Sequence, residues 1–123
     1  MRQRLLHPLV VDTERVAVGG QSAGGNLAAG VCLTARDRGA PSPVLQVLAY
    51  PPLDLATDPA AKVARTARPI INPRIATVFN NAYVPDVASR TDPLASPLLA
   101  ADLTGLPRGC RPRLHPGSNR SGR

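Results

Sequence analysis

The chain has 123 residues, 43% of them hydrophobic and 19% charged, which is the composition of a globular protein with room for one domain of modest size and not for a second. No apolar stretch approaches the roughly 20 residues that a membrane-crossing helix needs, and the start, Met1-Arg2-Gln3-Arg4-Leu5-Leu6-His7-Pro8, has no signal-peptide core, so a soluble cytoplasmic protein is expected. The net charge of +7, with 14 arginines against one lysine, raises nucleic-acid binding as a function class, and the placement of that charge weakens it. Every acid lies between Asp12 and Asp102 together with an equal number of bases, so the body is neutral. The excess sits in Arg2 and Arg4 at one end and in Arg108, Arg111, Arg113, Arg120 and Arg123 at the other, with no aromatic residue among the tail arginines.

Taken in chain order, Arg15-Val16-Ala17-Val18-Gly19-Gly20 is a β-branched run ending in glycines and predicts a buried strand. Leu27, Ala28, Val31, Cys32 and Ala35 then recur at helical spacing, Arg36 and Arg38 fall in the last turn, and Gly39 is placed to cap the helix. Val44 to Tyr50 predicts a second buried strand, closed by Pro51 and Pro52. Strand, helix, strand at this length is a right-handed crossover between parallel strands, usually covered on both faces, so the expected class is α/β. Residues 51–69, rich in Ala, Asp, Thr and Pro, read as a connecting excursion. Asn72 followed by Pro73 starts a second helix, with Ile75, Val78, Phe79, Ala82 and Tyr83 on one face and an end before Pro85. Asp92 to Leu99 reads as a packed loop with one helical turn. The division expected is a basic flank at 1–9, a domain at 10–107 and a tail at 108–123 that is disordered because it has one large apolar residue and no periodicity.

Gly20-Gln21-Ser22-Ala23-Gly24 matches G-x-S-x-G and falls between the first strand and the first helix, where a nucleophile elbow belongs. Flanking glycines permit the sharp turn that would lift the Ser22 hydroxyl above the carboxyl end of the sheet. The helix N-terminus then points at the site, so that the Ala23 N–H can face an oxyanion, and Gly25 lets the helix approach the neighbouring strand. An ordinary tight turn or a glycine-rich phosphate loop remains the rival reading. The run contains no G-x-G-x-x-G and no following lysine, which weakens the phosphate loop.

The stretch from Val16 to Ala29 resembles the nucleophile elbow of α/β-hydrolases of the hormone-sensitive-lipase-like branch, which hydrolyse carboxylic esters. Val11 to Arg15, Ala49-Tyr50-Pro51-Pro52-Leu53-Asp54 and Thr91 to Leu99 are similar to segments of that family in the same order. One departure stands inside the elbow: Gln21 occupies a position where the family usually has Asp. The resemblance implies a piece of the family's parallel sheet (strand, elbow, helix, strand, then helix), with Ser22 as nucleophile and the Ala23 amide as one oxyanion donor. Gly20, Gln21 and Gly24 would complete the elbow. Small-molecule carboxylic esters are the implied partners, and no cofactor or metal is implied.

The resemblance places the triad in the order Ser, Asp or Glu, His, and the other oxyanion donors upstream of the serine. No position of the 123 residues matches that acid, that histidine or that loop. His7 precedes Ser22 and His115 lies in the tail, so both are expected to be bystanders. Asp54 and Asp92 fall in segments that shape the site, Ser96 in a loop, and Cys32 on the buried side of the first helix. Cys32 and Cys110 form no disulfide framework or metal site. The chain by itself is therefore expected to be inactive and, with open strand edges, prone to a molten or aggregated state. The break in pattern after Pro107 predicts a shifted reading frame or a misplaced gene end. A basic nucleic-acid-binding protein and a non-catalytic interaction remnant are the competing functions.

Overall fold

The computed structural model describes residues 12–62 and 71–110. Its centre is a parallel sheet of three strands in the order β1, β2, β3, where β1 is Ala17–Gln21, β2 is Leu45–Ala49 and β3 is Arg108–Cys110. Ala17 to Gln21 pair in register with Leu45 to Ala49, and Leu45 to Val47 pair with Arg108 to Cys110. Helix α1, Ala23–Asp37, makes the crossover from β1 to β2. Its end follows the Gly39 expectation closely. Gly39 takes a left-handed φ of 60°, its N–H donates to the Arg36 carbonyl (3.0 Å), and the Ala40 N–H donates to the Ala35 carbonyl (2.9 Å), the paired bonds of a Schellman stop.

One face of the sheet carries the core. Alternate residues of β1 and β2 turn toward α1, where Ala28, Ala29 and Leu48 are buried together and Val18 and Leu53 pack against them. Small residues on the helix bring it close to the strands, and Cys32 and Leu33 of the same helix are fully buried. The other face is open among the described residues: Ala17, Gly19 and Gln21 are exposed, as is Val47. Both strands were expected to be buried on both sides. They alternate instead with period two, because only α1 lies against them.

A second difference concerns the boundary at Pro107. Arg108, Gly109 and Cys110, assigned from composition to the tail, form β3. Its anchor is the buried Gln46, whose side-chain amide donates to the Pro107 carbonyl at 2.9 Å, while Arg36 donates to the carbonyls of Asp102 (2.7 Å) and Thr104 (3.0 Å) on the approach. A short polar strand is recruited by hydrogen bonds to a neighbour, which leave no trace in an apolar pattern. His7 and His115, with the rest of the proposed flank and tail, lie outside the described residues.

Helix α2, Pro73–Tyr83, begins as its sequence directs, with Asn72 Oδ1 accepting from the Ile75 N–H at 3.0 Å and Pro73 in the first turn. The segment between β2 and α2 includes a short 3-10 turn at Pro59–Ala61. After α2 come two more, Ala88–Thr91 and Pro97–Leu99, and between and within them Ala95, Ser96 and Pro97 are buried as the packed-loop reading requires. No helix among the described residues is long and apolar enough to cross a membrane.

Candidate active site

The site forms where β1 hands over to α1. The last strand residue is Gln21, the first helical residue is Ala23, and Ser22 between them holds φ 50° and ψ −123°. That left-handed conformation is one an L-residue adopts only under constraint, at a cost of about 1–3 kcal/mol. The constraint is visible on both sides. The Ser22 N–H continues the ladder into β2 by donating to the Ala49 carbonyl (2.9 Å), and the Ser22 carbonyl accepts from the N–H groups of Gly25 (3.0 Å) and Asn26 (3.2 Å). Backbone contacts are so close that a Cβ on Gly20 would lie 2.4 Å from the Gly24 carbonyl carbon, and one on Gly25 would lie 2.9 Å from Pro51 Cβ and 3.0 Å from the Gly20 oxygen. Gly24 is different, since a Cβ there meets nothing within 4 Å.

Among the described residues the Ser22 side chain makes no hydrogen bond, to the helix or to any other group. The Ala23 N–H, ahead of the first intrahelical bond of α1, is likewise uncommitted. Ser96, the other serine considered, is the opposite case. Fully buried, its Oγ accepts from the Leu55 N–H (2.8 Å) and donates to the Arg90 carbonyl (2.5 Å), so its hydroxyl is committed to the fold. Asp54 and Asp92 also serve the backbone: Asp54 accepts from the N–H groups of Ala56 and Thr57 (3.0 Å each), and Asp92 from that of Leu94 (2.8 Å). Burial pushes the Asp54 carboxyl up, but the hydrogen bonds from Thr57, the Lys62 charge and the Ala56 N–H outweigh it and hold the group below the usual aspartate value. Burial alone pushes the Cys32 thiol up.

Gln21 points across the sheet edge. Its Oε1 accepts from the Tyr50 hydroxyl at 2.8 Å, and Tyr50 itself sits at φ 40°, so two left-handed residues stand side by side at the ends of adjacent strands. Behind them Asn26, 1% exposed, donates through Nδ2 to the carbonyls of Pro52 (2.7 Å) and Ala95 (2.8 Å), tying α1 to both later loops, while its Oδ1 is buried without a partner.

Ser22 and Ala23 open onto a cleft of about 620 Å³ walled by Leu27, Tyr50, Phe79 and Tyr83, with Asn26 and Asn80 as its further polar members. The apolar face expected on α2 is thus turned in part to a cleft rather than to a core. Phe79 and Tyr83 remain more than half exposed, as does Val78 on the outside. The structure brings Ser22 and Ala23 to the cleft, with Gly20, Gln21 and Gly24 in the same turn, and adds Asn26, Tyr50 and Asn80, which no sequence motif singles out. The signal for Asn80 was present in the helical spacing that puts it beside Ala76, Phe79 and Tyr83. Among the described residues no group of three or more His, Cys, Asp or Glu side chains could hold a metal ion.

A parallel sheet with a crossover helix and a strained serine between them defines the α/β-hydrolase class. The sequence profile of the alpha/beta hydrolase fold matches residues 3–110, and the chain belongs to that family. Within it, the chain is 43% identical over 97 residues to the carboxylic ester hydrolase LipN of Mycobacterium tuberculosis, covering 75% of this chain and 26% of that protein. Carboxyl esterase 2 of the mycorrhizal fungus Tuber melanosporum superposes with a TM-score of 0.73 at 34% identity, over 82% of this chain and 34% of that one. An esterase of the bacterial hormone-sensitive lipase family superposes with a TM-score of 0.69 at 35% identity, over 81% and 33%. The fragment of fold is that of the hormone-sensitive-lipase-like branch. The chain spans about 26–31% of the length of the curated relatives it matches.

Proposed function

We propose that this chain carries the nucleophile elbow of a serine carboxylic-ester hydrolase acting on small-molecule esters. Ser22 Oγ attacks the ester carbonyl carbon, the carbonyl π electrons move to oxygen, and the Ala23 N–H donates to the resulting oxyanion beside the N-terminus of α1. Collapse of this intermediate breaks the carbon–alkoxide bond, the alkoxide leaves as the alcohol with the proton that Ser22 gives up to a base of the complete hydrolase, and the acyl group left on Ser22 is removed by water. Gly20 and Gly24 frame the turn, Gln21 stands beside the nucleophile as a neutral residue, and the cleft walls receive the ester's apolar parts.

The observation that carries the reading is the uncommitted Ser22 hydroxyl, held at φ 50° at the mouth of an apolar cleft. The names of the relatives support the same chemistry. A serine needs a base to take its proton, and no described residue hydrogen-bonds the Ser22 hydroxyl. The 123-residue chain alone is accordingly proposed to give no Ser22-dependent hydrolysis.

The test grafts residues 12–110 of this chain onto the matching segment of LipN and assays a short-chain aryl ester. The chimera is expected to hydrolyse it and to lose at least about a thousandfold in kcat on Ser22→Ala. Hydrolysis that survives Ser22→Ala overturns the assignment. A Ser22-dependent rate in the 123-residue chain overturns the proposed inactivity, and strong labelling of that chain by a serine-directed fluorophosphonate counts against it as well.

A further inference from the structure

We propose that Asn80 is a specificity-determining residue of the Ser22 cleft and that it selects carboxylic esters whose arm along α2 carries a neutral group able both to donate and to accept a hydrogen bond, such as a secondary amide. The proposal rests on Ser22 marking the reacting end of the cleft, and it adds the chemistry of the substrate's far end.

Helix α2 lines the cleft with Ala76, Phe79, Asn80 and Tyr83, the i, i+3, i+4, i+7 stripe of one helical face. Three of the four offer apolar surface to the cleft. The fourth, in the middle of the stripe, is an amide, and it is the most buried residue of the helix at 8% exposure. Buried amides are normally bound to something. Even its exposed neighbours are bound within the fold: Asn72 caps α2 through the Ile75 N–H, and Asn81 Oδ1 accepts from Arg90 at 2.5 Å. Asn80 is the exception, because its side chain makes no hydrogen bond among the described residues, and its structural bond is the backbone one from the Val84 N–H to its carbonyl (2.9 Å). Among the described residues only Asn26 Oδ1 is a sealed polar atom without a partner, so the Asn80 amide keeps access to the cleft and no bond of the fold engages it.

The amide does have somewhere to act. Past Asn80 the cleft adjoins a second hollow, also of about 620 Å³, and the two share Pro51, Pro52, Leu55, Ile71, Ala76 and Asn80. Asn80 therefore stands at the waist of a path that starts at Ser22. A carboxamide presents one acceptor and a donor pair, so it can accept from the N–H or donate to the C=O of a secondary amide, whose two groups point opposite ways in the trans form, and it can do both to a hydroxyl. A charged arm is disfavoured at the waist, where the wall shared by the two hollows is prolines, leucine, isoleucine and alanine; the ionisable members of the second hollow, Asp54 and Lys62, belong to its unshared part.

The experiment titrates the nitrogen-15-labelled full chain with methyl 4-acetamidobutyrate and with methyl heptanoate, whose acyl arms have equal length. The acetamido ester is expected to bind about tenfold more tightly and to shift the Asn80 side-chain amide signals, and Asn80→Leu is expected to erase the preference. Asn80→Ala serves if the leucine variant does not fold, and the wild-type amide signals report without any variant. The proposal is overturned by equal or tighter binding of heptanoate to the wild type, by a ratio unchanged in the variant, or by Asn80 signals that neither ester moves. Ser22→Ala is titrated alongside and is expected to keep the ratio. A failed nucleophile assignment would then show in the chimera's hydrolysis while the binding ratio stands, and a failed Asn80 assignment would show the reverse.

Discussion

The β1–α1–β2 unit and the stretch from Pro51 to Ala100 are held together in different ways. In the first, Gly20 and Gly25 let backbone touch backbone, and Ala28, Ala29 and Leu48 close the layer. In the second, polar side chains grip backbone: Ser96 joins Leu55 to Arg90, Arg90 clasps the end of α2 through the Val84 carbonyl and Asn81 Oδ1, and Asp54, Asp86 and Asp92 each close a turn. One region is specified by side chains that are absent and fails when atoms are added. The other is specified by polar atoms that are present and fails when they are removed. The largest expected effect tests the first half of that contrast. Gly20→Ala in the chimera puts a Cβ 2.4 Å from the Gly24 carbonyl carbon and is expected to cost about 3 kcal/mol or more by urea denaturation. Gly24→Ala, a change in the same pentapeptide, meets nothing within 4 Å and is expected to stabilise by about 0.5–1 kcal/mol through helix propensity. Equal losses in the two variants would break the comparison.

Deletion should hurt next most where the two regions meet. Asn26→Ala removes the bonds to Pro52 and Ala95 and leaves both carbonyls unpartnered, with the relief of its own orphaned Oδ1 as a partial offset. A loss of about 2–3 kcal/mol is expected, against about 1–2 for Ser96→Ala, which strands the Leu55 N–H and the Arg90 carbonyl. Urea midpoints of both variants measure the order, and a Ser96→Ala loss exceeding that of Asn26→Ala would place the main latch inside the second region instead of at its junction.

The same contrast governs what could be read from residues alone. β1, α1, β2 and the serine turn were legible because apolar period, glycine placement and a helix stop all agree there, and local agreement is what sequence patterns record. α2 was legible as a helix with one apolar face, through Asn72, Pro73 and the spacing after them, but that spacing does not say what the face meets, and part of it lines a cleft. β3 was invisible. Arg108-Gly109-Cys110 has no apolar pattern, and its place is fixed by Gln46, some sixty positions earlier in the chain, which donates to Pro107. Asn26 was hidden for the same reason, since both of its acceptors are carbonyls, which every residue possesses.

Titration separates the two regions by sign. In the second, Asp54 is held below the ordinary aspartate value of 3.8, so its contribution is full above that pH and is lost as pH falls through the lower folded value, where the unfolded chain takes up the proton first. Asp86, through its hydrogen bonds from Ser89 and Ala88, shifts the same way, as does Asp102 just beyond this region, through those from Thr104. In the first region the buried Cys32 thiol is pushed above its ordinary 9.0, so the unfolded chain ionises first and stability falls as pH rises past that value. Urea midpoints across pH are expected to show a shallower acid arm in Asp54→Asn and a shallower alkaline arm in Cys32→Ala, each relative to the parent chimera. An acid arm flattened by Cys32→Ala would contradict the division.

The smallest effect is expected at the exposed polar latch beside the serine turn of the first region. Tyr50 and Ser22, at φ 40° and 50°, end adjacent strands, and the Tyr50 hydroxyl reaches back to Gln21 next to Ser22. If backbone contact alone holds the turn, that exposed bond is dispensable. Tyr50→Phe should then cost about 0.5 kcal/mol in stability and leave kcat of the chimera within about threefold of the parent. A fall beyond tenfold, equivalent to about 1.4 kcal/mol of transition-state stabilisation, would mean that the Gln21–Tyr50 bond keeps Ser22 in its left-handed conformation. The serine turn would then share the rule of the second region, losing its geometry by deletion, and a neutral Gln21 where the family usually carries an acid would be the side chain on which that geometry depends.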